Sequence, residues 1–318
     1  MNTPVILFVF NRPELTSRVI ARIRDAQPST LLVVCDGPRF GNEDDNNKIA
    51  AIREIITHSV DWLCEVQCNF ASINLGCRKR VVSGLNWGFS LVEEAVILED
   101  DCLPDPSFFI FAEEMLARYR NNGRVFHIGG NNFTGDSFPI GNSYAFSRYG
   151  HIWGWATWRR AWKMYVWDLK SWNDISTRQE LLSSLNLSDE RGYWGSIFDR
   201  CAKMPTEQTT WDYQWTFACW RNKGLAVYPS VHLVENIGQG KSATHTFDIN
   251  PIFARSPEQL TFPLRHPALV AADVRLDREI FRTVFMAERA WTKKVWLALR
   301  RRLSLFFSGC TPPNQNVV

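Results

Sequence analysis

The sequence predicts an α/β fold built on a mostly parallel, doubly wound central sheet flanked by helices. Three observations predict it. Short, continuous apolar runs recur in the first hundred residues, "PVILFVF", "LLVV" and "AVIL", and such runs mark strands buried on both faces. Segments with helical apolar spacing separate them, and strand–helix alternation is the pattern of parallel sheets. The runs end in polar groups, and these sheets bind ligands beyond the carboxyl ends of their strands.

Pro4–Phe10 is the first strand, stopped by Asn11-Arg12-Pro13. Glu14–Ala26 carries Leu15, Val19, Ile20 and Ile23 at helical spacing. Leu31–Val34 is the second strand, closed by Cys35-Asp36-Gly37-Pro38. A polar loop, "RFGNEDDNNK", leads to a helix near Ile49–Ile56, and Cys64–Phe70 reads as a third strand. "NLGCRKRVVSGLNWGFSLV" opens on a glycine turn and continues as a helix with basic first turns. Ala95–Leu98 is the fourth strand, and it runs directly into Glu99, Asp100 and Asp101.

Beyond residue 102 the pattern changes. "DPSFFIFAEEMLARYR" is a helix starting near Asp105 or Ser107, and "RVFHIGGNNF" is a strand entering a Gly/Asn loop. Ser143–Phe146 is a strand, followed by the aromatic stretch "GHIWGWATWRRAW". "LAVYPSVHLVENIG" holds one or two strands before the polar loop "GQGKSATHT". Pro and Arg dominate Asn250–His266, an extended excursion. No Gly/Ser-rich tether separates the halves, so they are expected to pack on one another.

With 318 residues, 45% hydrophobic and 22% charged, the chain can build one large core. A net charge of +3, with no arginine-rich recognition motif before the C-terminal segment, argues against nucleic-acid binding. Eight cysteines are scattered without CxxC spacing; they read as reduced thiols of a cytosolic protein. The first apolar run is about seven residues, short of the ~20 that span a bilayer, and reads as a strand rather than a signal peptide. Of 14 tryptophans, seven lie between Trp153 and Trp194; such rings stack on sugars, on bases or on one another.

Three consecutive carboxylates after a buried strand repel one another, so a positive charge is expected from the fold or from a ligand. Carboxylate oxygens suit Mg²⁺ or Mn²⁺, and such an ion can join the chain to a diphosphate and stabilise its departure. The competing reading is a solvated turn or helix cap. Arg78, Lys79 and Arg80 can face phosphates at a helix N-terminus or form a solvated basic face. Asp36 can accept hydrogen bonds from a uracil or ribose, or serve its turn.

Six stretches carry a resemblance: "FNRPELTSRVIARI", "VVCDGPR", "NLGCRKRVVSGLNWGF", "VILEDDCLPDPSFF", "WGWATWRRAW" and "TWDYQWTFACWRNKGLAVYPSVHLVENIGQG". Their order over residues 4–247 resembles bacterial nucleotide-sugar glycosyltransferases of the GT-A type, distantly similar to animal N-acetylglucosaminyltransferase I. The resemblance implies a GT-A fold with a C-terminal helical extension. It implies a nucleotide-sugar-binding half at 1–102, an acceptor-binding half at 103–250 and an extension at 251–318. It implies an inverting, divalent-metal-dependent transfer, from a nucleotide-diphosphate sugar such as a UDP-sugar, to a glycan or lipid-linked saccharide. Asp101 would be the metal ligand, Asp100 a donor contact and Glu99 would lie near the sugar. Asn11, Arg12, Asp36 and Arg80 would complete the donor site, with His245 on the closing loop 236–246. Asp212 in "TTWDYQW" would be the base, although Tyr213 stands where the family has a second Asp. A helix N-cap is the competing role for Asp212. Trp153, Trp155 and Trp211 would form the acceptor or sugar platform.

Two other functions compete. A sugar nucleotidyltransferase would share the fold, but it calls for a Gly-rich basic loop after the first strand, where this chain has "NRPEL". A noncatalytic carbohydrate-binding or scaffold protein would use the aromatics alone. Residues 281–307 place Trp291, Val295, Leu299, Leu303 and Phe306 on one helical stripe and Lys293, Lys294, Arg300 and Arg301 on another face. Such a helix can rest on an anionic membrane, which would hold the enzyme on the inner face of the cytoplasmic membrane. Packing on the domain is the alternative.

Overall fold

Val5–Val9 forms β1, and its side chains alternate between two cores. Val5, Leu7 and Val9 face one of them, Ile6 and Phe8 the other, as the two-residue period of a strand requires. The computed structural model describes residues 1–205, 209–238 and 252–286. β1 pairs in parallel with β2 (Thr30–Cys35) and β4 (Glu94–Glu99), and β2 pairs in parallel with β3 (Glu65–Phe70).

The sheet continues beyond β4. Its eight strands run in the order β3-β2-β1-β4-β8-β6-β9-β7, with β6 at Val125–Gly129, β7 at Tyr144–Ser147, β8 at Trp155–Trp158 and β9 at Leu225–Pro229. β8 is antiparallel to both β4 and β6, β6 and β9 are parallel, and β7 closes the edge antiparallel to β9. The sheet is thus mixed but mostly parallel, as expected. The insertion of β8 was not legible, because "WATW" lacks the continuous aliphatic run of the other strands. A separate two-stranded ribbon joins β5 (Cys102–Pro104) to β10 (Val234–Asn236).

Helices cover both faces. α1 (Pro13–Ala26), α2 (Glu43–Ser59) and α4 (Pro106–Tyr119) bury Ile20, Ile52 and Phe111 in the first core. α2 starts six residues before the apolar period does. Asn42 caps it by accepting from the Asp45 amide at 3.2 Å, and Glu43, Asp44 and Asp45 fill the first turn, which favours the positive end of the helix dipole. Asp105 is the cap of α4, accepting from the Ser107 amide at 2.8 Å.

α3 (Cys77–Leu91) lies on the opposite face. A Cβ on Gly84 would come within 2.5 Å of the Phe8 ring, and one on Gly88 within 2.6 Å of Ile6 Cδ1. These two glycines therefore let α3 lie directly on β1. The rest of that face is aromatic. It involves α5 (Arg159–Trp162), α7 (Ser188–Lys203), α8 (Asp212–Arg221) and α9 (Val274–Ile280), while α6 (Ile175–Ser183) adds Leu181. A π-helical segment at Phe281–Met286 follows α9, with Phe281 and Val284 buried. The described start of the expected 281–307 helix is thus packed on the domain; its remainder lies outside the described residues. No described helix is long and apolar enough to cross a membrane.

Candidate active site

β2, β1 and β4 are neighbours and parallel, so their carboxyl ends lie side by side. The polar groups at their ends, Asp36, Asn11-Arg12 and Glu99-Asp100-Asp101, therefore share one edge of the sheet, as expected. This is where open α/β sheets bind ligands.

The positive charge among the carboxylates comes from the chain itself. Arg12 Nη1 donates to Asp101 Oδ2 at 2.9 Å, and Arg12 Nη2 donates to Asp100 Oδ1. Asp100 also accepts from the Phe10 amide at 3.3 Å. Burial opposes the Arg12 charge, but Asp100 and then Asp101 outweigh it, so its pKa is raised. One cation still faces three carboxylates. Burial, followed by the charges of Asp101 and Asp100, pushes Glu99 above the usual carboxylate range. Burial also pushes Asp100 up, against the pull of Arg12. Burial and mutual repulsion thus favour the protonated form of Glu99 while no further cation is present.

The charge of Asp212 reaches this group of carboxylates. Its carboxylate also raises Glu99, the charge of one reaching the other. Asp212 is the first residue of α8 rather than its cap; Trp211 holds the cap position without a side-chain cap bond. The Thr210 hydroxyl donates to Asp212 Oδ1. The cap role that competed for Asp212 is therefore not the one it plays.

Cys77, at the start of α3, was missed as a site residue. Burial, then Glu99, Asp212, Asp36 and Asp101 in that order, push its thiol up to about 12. Its surface is nevertheless open to solvent. It feels the charge of carboxylates from two strand ends, β2 and β4, and from the head of α8. A lone cysteine in "NLGC" carries no spacing signal that could have announced this. Gly238 was also missed. A Cβ there would come within 2.3 Å of Asp101 Oδ2 and 2.7 Å of Arg12 Nη1, and the Ile237 amide donates to the Asp101 carbonyl at 2.8 Å. The chain leaving β10 thus lies on the Arg12–Asp101 pair, and only a glycine fits there.

Several expected donor contacts are committed elsewhere. Asp36 accepts from the amides of Gly37 at 2.9 Å, Leu75 at 2.9 Å and Gly76 at 3.0 Å. It ties the end of β2 to the start of α3 instead of reading a base or ribose. Arg80 is buried and donates to the carbonyls of Cys35 at 3.0 Å and of Asn69, and to Asn69 Oδ1 at 2.9 Å. Burial lowers its pKa, and the carbonyls satisfy a guanidinium that turns inward rather than to phosphate. Asn11 Nδ2 donates to Asp45 at 2.8 Å. His245 lies outside the described residues.

The aromatic platform is corrected as well. Trp155 and Trp211 are 1% and 2% exposed and stack on each other at 5.7 Å. Both are core, because β8 inserts into the sheet and carries Trp155 inward. Trp153 is half-buried, edge-on to Phe133 and Phe253, and is the one of the three that reaches the surface.

Carboxylate oxygen is the donor type that Mg²⁺ and Mn²⁺ take. Among the described residues, however, no three His, Cys, Asp or Glu side chains are grouped to hold a metal. The residues fit an ion held by one or two carboxylates and completed by ligand phosphates, a cation that would relieve the repulsion Asp101 and Asp100 exert on Glu99. They do not fit an ion caged by protein alone.

No protein-family model matches the chain, and no curated protein matches it. Solved structures overlap it in part. A 4-diphosphocytidyl-2C-methyl-D-erythritol synthase from Anaerococcus prevotii is 10% identical, covering 69% of this chain and 97% of that one, with a TM-score of 0.33. A cytidylyltransferase from Leptospira borgpetersenii is 12% identical over 66% and 78%, with a TM-score of 0.30. A UDP-glucose pyrophosphorylase complexed with UDP-glucose is 13% identical and gives a TM-score of 0.24; the overlap takes in 41% of this chain and 56% of that one. Likeness at this level fixes neither the substrate nor the reaction of this chain.

Proposed function

We propose that the protein is a glycosyltransferase that moves a sugar from a nucleotide diphosphate, a UDP-sugar foremost, to the hydroxyl of a glycan or glycolipid, with inversion. The observation that supports this reading is that the charge of Asp212 reaches Glu99, which with Asp100 and Asp101 stands at the carboxyl end of a parallel strand. An inverting transfer needs one carboxylate to take the acceptor proton as the oxygen attacks the anomeric carbon. It also needs positive charge at the departing diphosphate. Asp212, the first residue of α8, would serve as that base. Asp101 would anchor a Mg²⁺ or Mn²⁺ ion, which when bound supplies charge to the leaving group. Arg12 holds Asp100 and Asp101 in place and orients their remaining oxygens. The transfer proceeds in one displacement, so no nucleophilic Ser or Cys is required.

A panel of UDP-, GDP- and CMP-sugars incubated with the protein and Mn²⁺ tests this. Slow release of sugar and nucleoside diphosphate supports a transferase. Pyrophosphate formation from a sugar 1-phosphate and a nucleoside triphosphate would instead show a nucleotidyltransferase. An absence of turnover and of metal-dependent nucleotide binding would leave a binding protein. Cytoplasmic location and membrane contact through residues 281–307 belong to the same proposal, and liposome flotation of full-length protein against a chain ending at Met286 tests the contact.

A further inference from the structure

Of the seven tryptophans between Trp153 and Trp194, Trp167 is the exposed one, at 39%. It lines a groove of about 630 Å³ together with Phe89, Trp162, Tyr165, Asn86 and Lys163. That volume falls within the roughly 300–1,000 Å³ of ligand sites. The groove follows α3 and α5, with Ser90 and Arg159 at its margin.

Its walls are rigid. Trp162 and Tyr165 stack at 4.5 Å with 19° between ring planes, and Trp162 Nε1 donates to Asn86 Oδ1 at 2.8 Å. Arg78 lies over the Trp167 ring at 4.0 Å and donates to the Trp167 carbonyl. Such stacking holds an exposed ring in one orientation. Lys163 is exposed, and Arg159 pairs with the largely exposed Glu93.

The groove is tied to the carboxylate cleft on two sides. Arg78 directly follows Cys77, which lies among Glu99, Asp212, Asp36 and Asp101. Tyr165 donates to the carbonyl of Trp211 at 3.3 Å, next to Asp212. α3, of 15 residues, is about 22 Å long, so a ligand following it away from the cleft spans several sugar rings.

We infer that this groove binds an oligosaccharide, the chain of the acceptor, and leads its end toward Asp212. The inference rests on the glycosyltransferase reading. The exposed ring of Trp167, with the Lys163 ammonium on the same groove, suits a pyranose ring, which presents an apolar C–H face and a rim of hydroxyls, while the buried Phe89 and Trp162 form the floor. Lys163 favours a carboxylate-bearing sugar at its end of the groove.

Calorimetry on the full chain without donor tests it, using chitohexaose as the neutral probe and hexagalacturonate as the acidic one. At least one hexamer is expected to bind. Trp167→Ala should weaken that binding at least tenfold. Lys163→Glu, on an exposed side chain, should weaken hexagalacturonate at least fivefold and leave chitohexaose unchanged. Failure of both hexamers to bind would overturn the groove, as would unchanged affinity in both variants. Because no nucleotide is present, that failure is distinct from an absence of nucleotide-sugar turnover, which would overturn the enzyme reading.

Discussion

Arg12 Nη1 lies 2.9 Å from Asp101 Oδ2, joining the loop after β1 to the turn after β4 across 89 positions of sequence. Its other terminal nitrogen holds Asp100. Removing the guanidinium would leave two neighbouring carboxylates, one of them fully buried, without a cation. Breaking a buried ion pair costs about 3–5 kcal/mol; Arg12 keeps some solvent exposure, so Arg12→Met is expected to lose about 2–4 kcal/mol. Urea unfolding checks this. A loss below about 0.5 kcal/mol would show that the pair holds nothing together.

Asp101→Ala is expected to abolish Mn²⁺-dependent binding of UDP, because Asp101 is the carboxylate assigned to the ion. Calorimetry with and without Mn²⁺ reads this directly. Unchanged metal-dependent affinity would remove Asp101 from the metal site. Circular dichroism should show the fold retained, since Arg12 keeps Asp100 as a partner.

Asp212→Asn should keep donor binding and reduce transfer by roughly two to four orders of magnitude, the scale of a general base. Its stability should fall by only about 0.3–1 kcal/mol, the contribution of an acidic residue in the first turn of a helix such as α8. Turnover close to the parent's would exclude Asp212 from proton transfer.

The buried histidines predict acid lability. Burial pushes His127 down to about 4. His151 is pushed down to about 3 by burial, then by His127 and His232. In the folded chain both are neutral through the weakly acidic range, while the unfolded chain takes up protons near 6.5. The unfolded state thus binds more protons, and the stability that is complete above about pH 7 falls as pH drops toward 4. Among the described residues His151 Nε2 is buried without a hydrogen-bond partner, and the ring packs against Phe133 and Tyr228. His151→Phe should therefore flatten the loss between pH 6.5 and 4.5 and cost little at pH 7. Unfolding free energies across that range decide it; an unchanged slope would refute the assignment.

What the sequence determined by itself is what repeats along the chain. Apolar period and run length set β1 to β4, the helices between them and the edge where Glu99, Asp100 and Asp101 emerge, because burial of a face is a local property of a strand or helix. Tertiary structure decided what each polar or aromatic group faces. Arg12 became the counter-ion of Asp100 and Asp101, Asp36 and Arg80 turned to backbone amides and carbonyls, Trp155 went into the core, and the charge of Asp212 came to reach Glu99. Those partners are scores of residues apart. A charge or a ring is satisfied by whatever the fold brings within a few ångströms, and no local pattern encodes that neighbour.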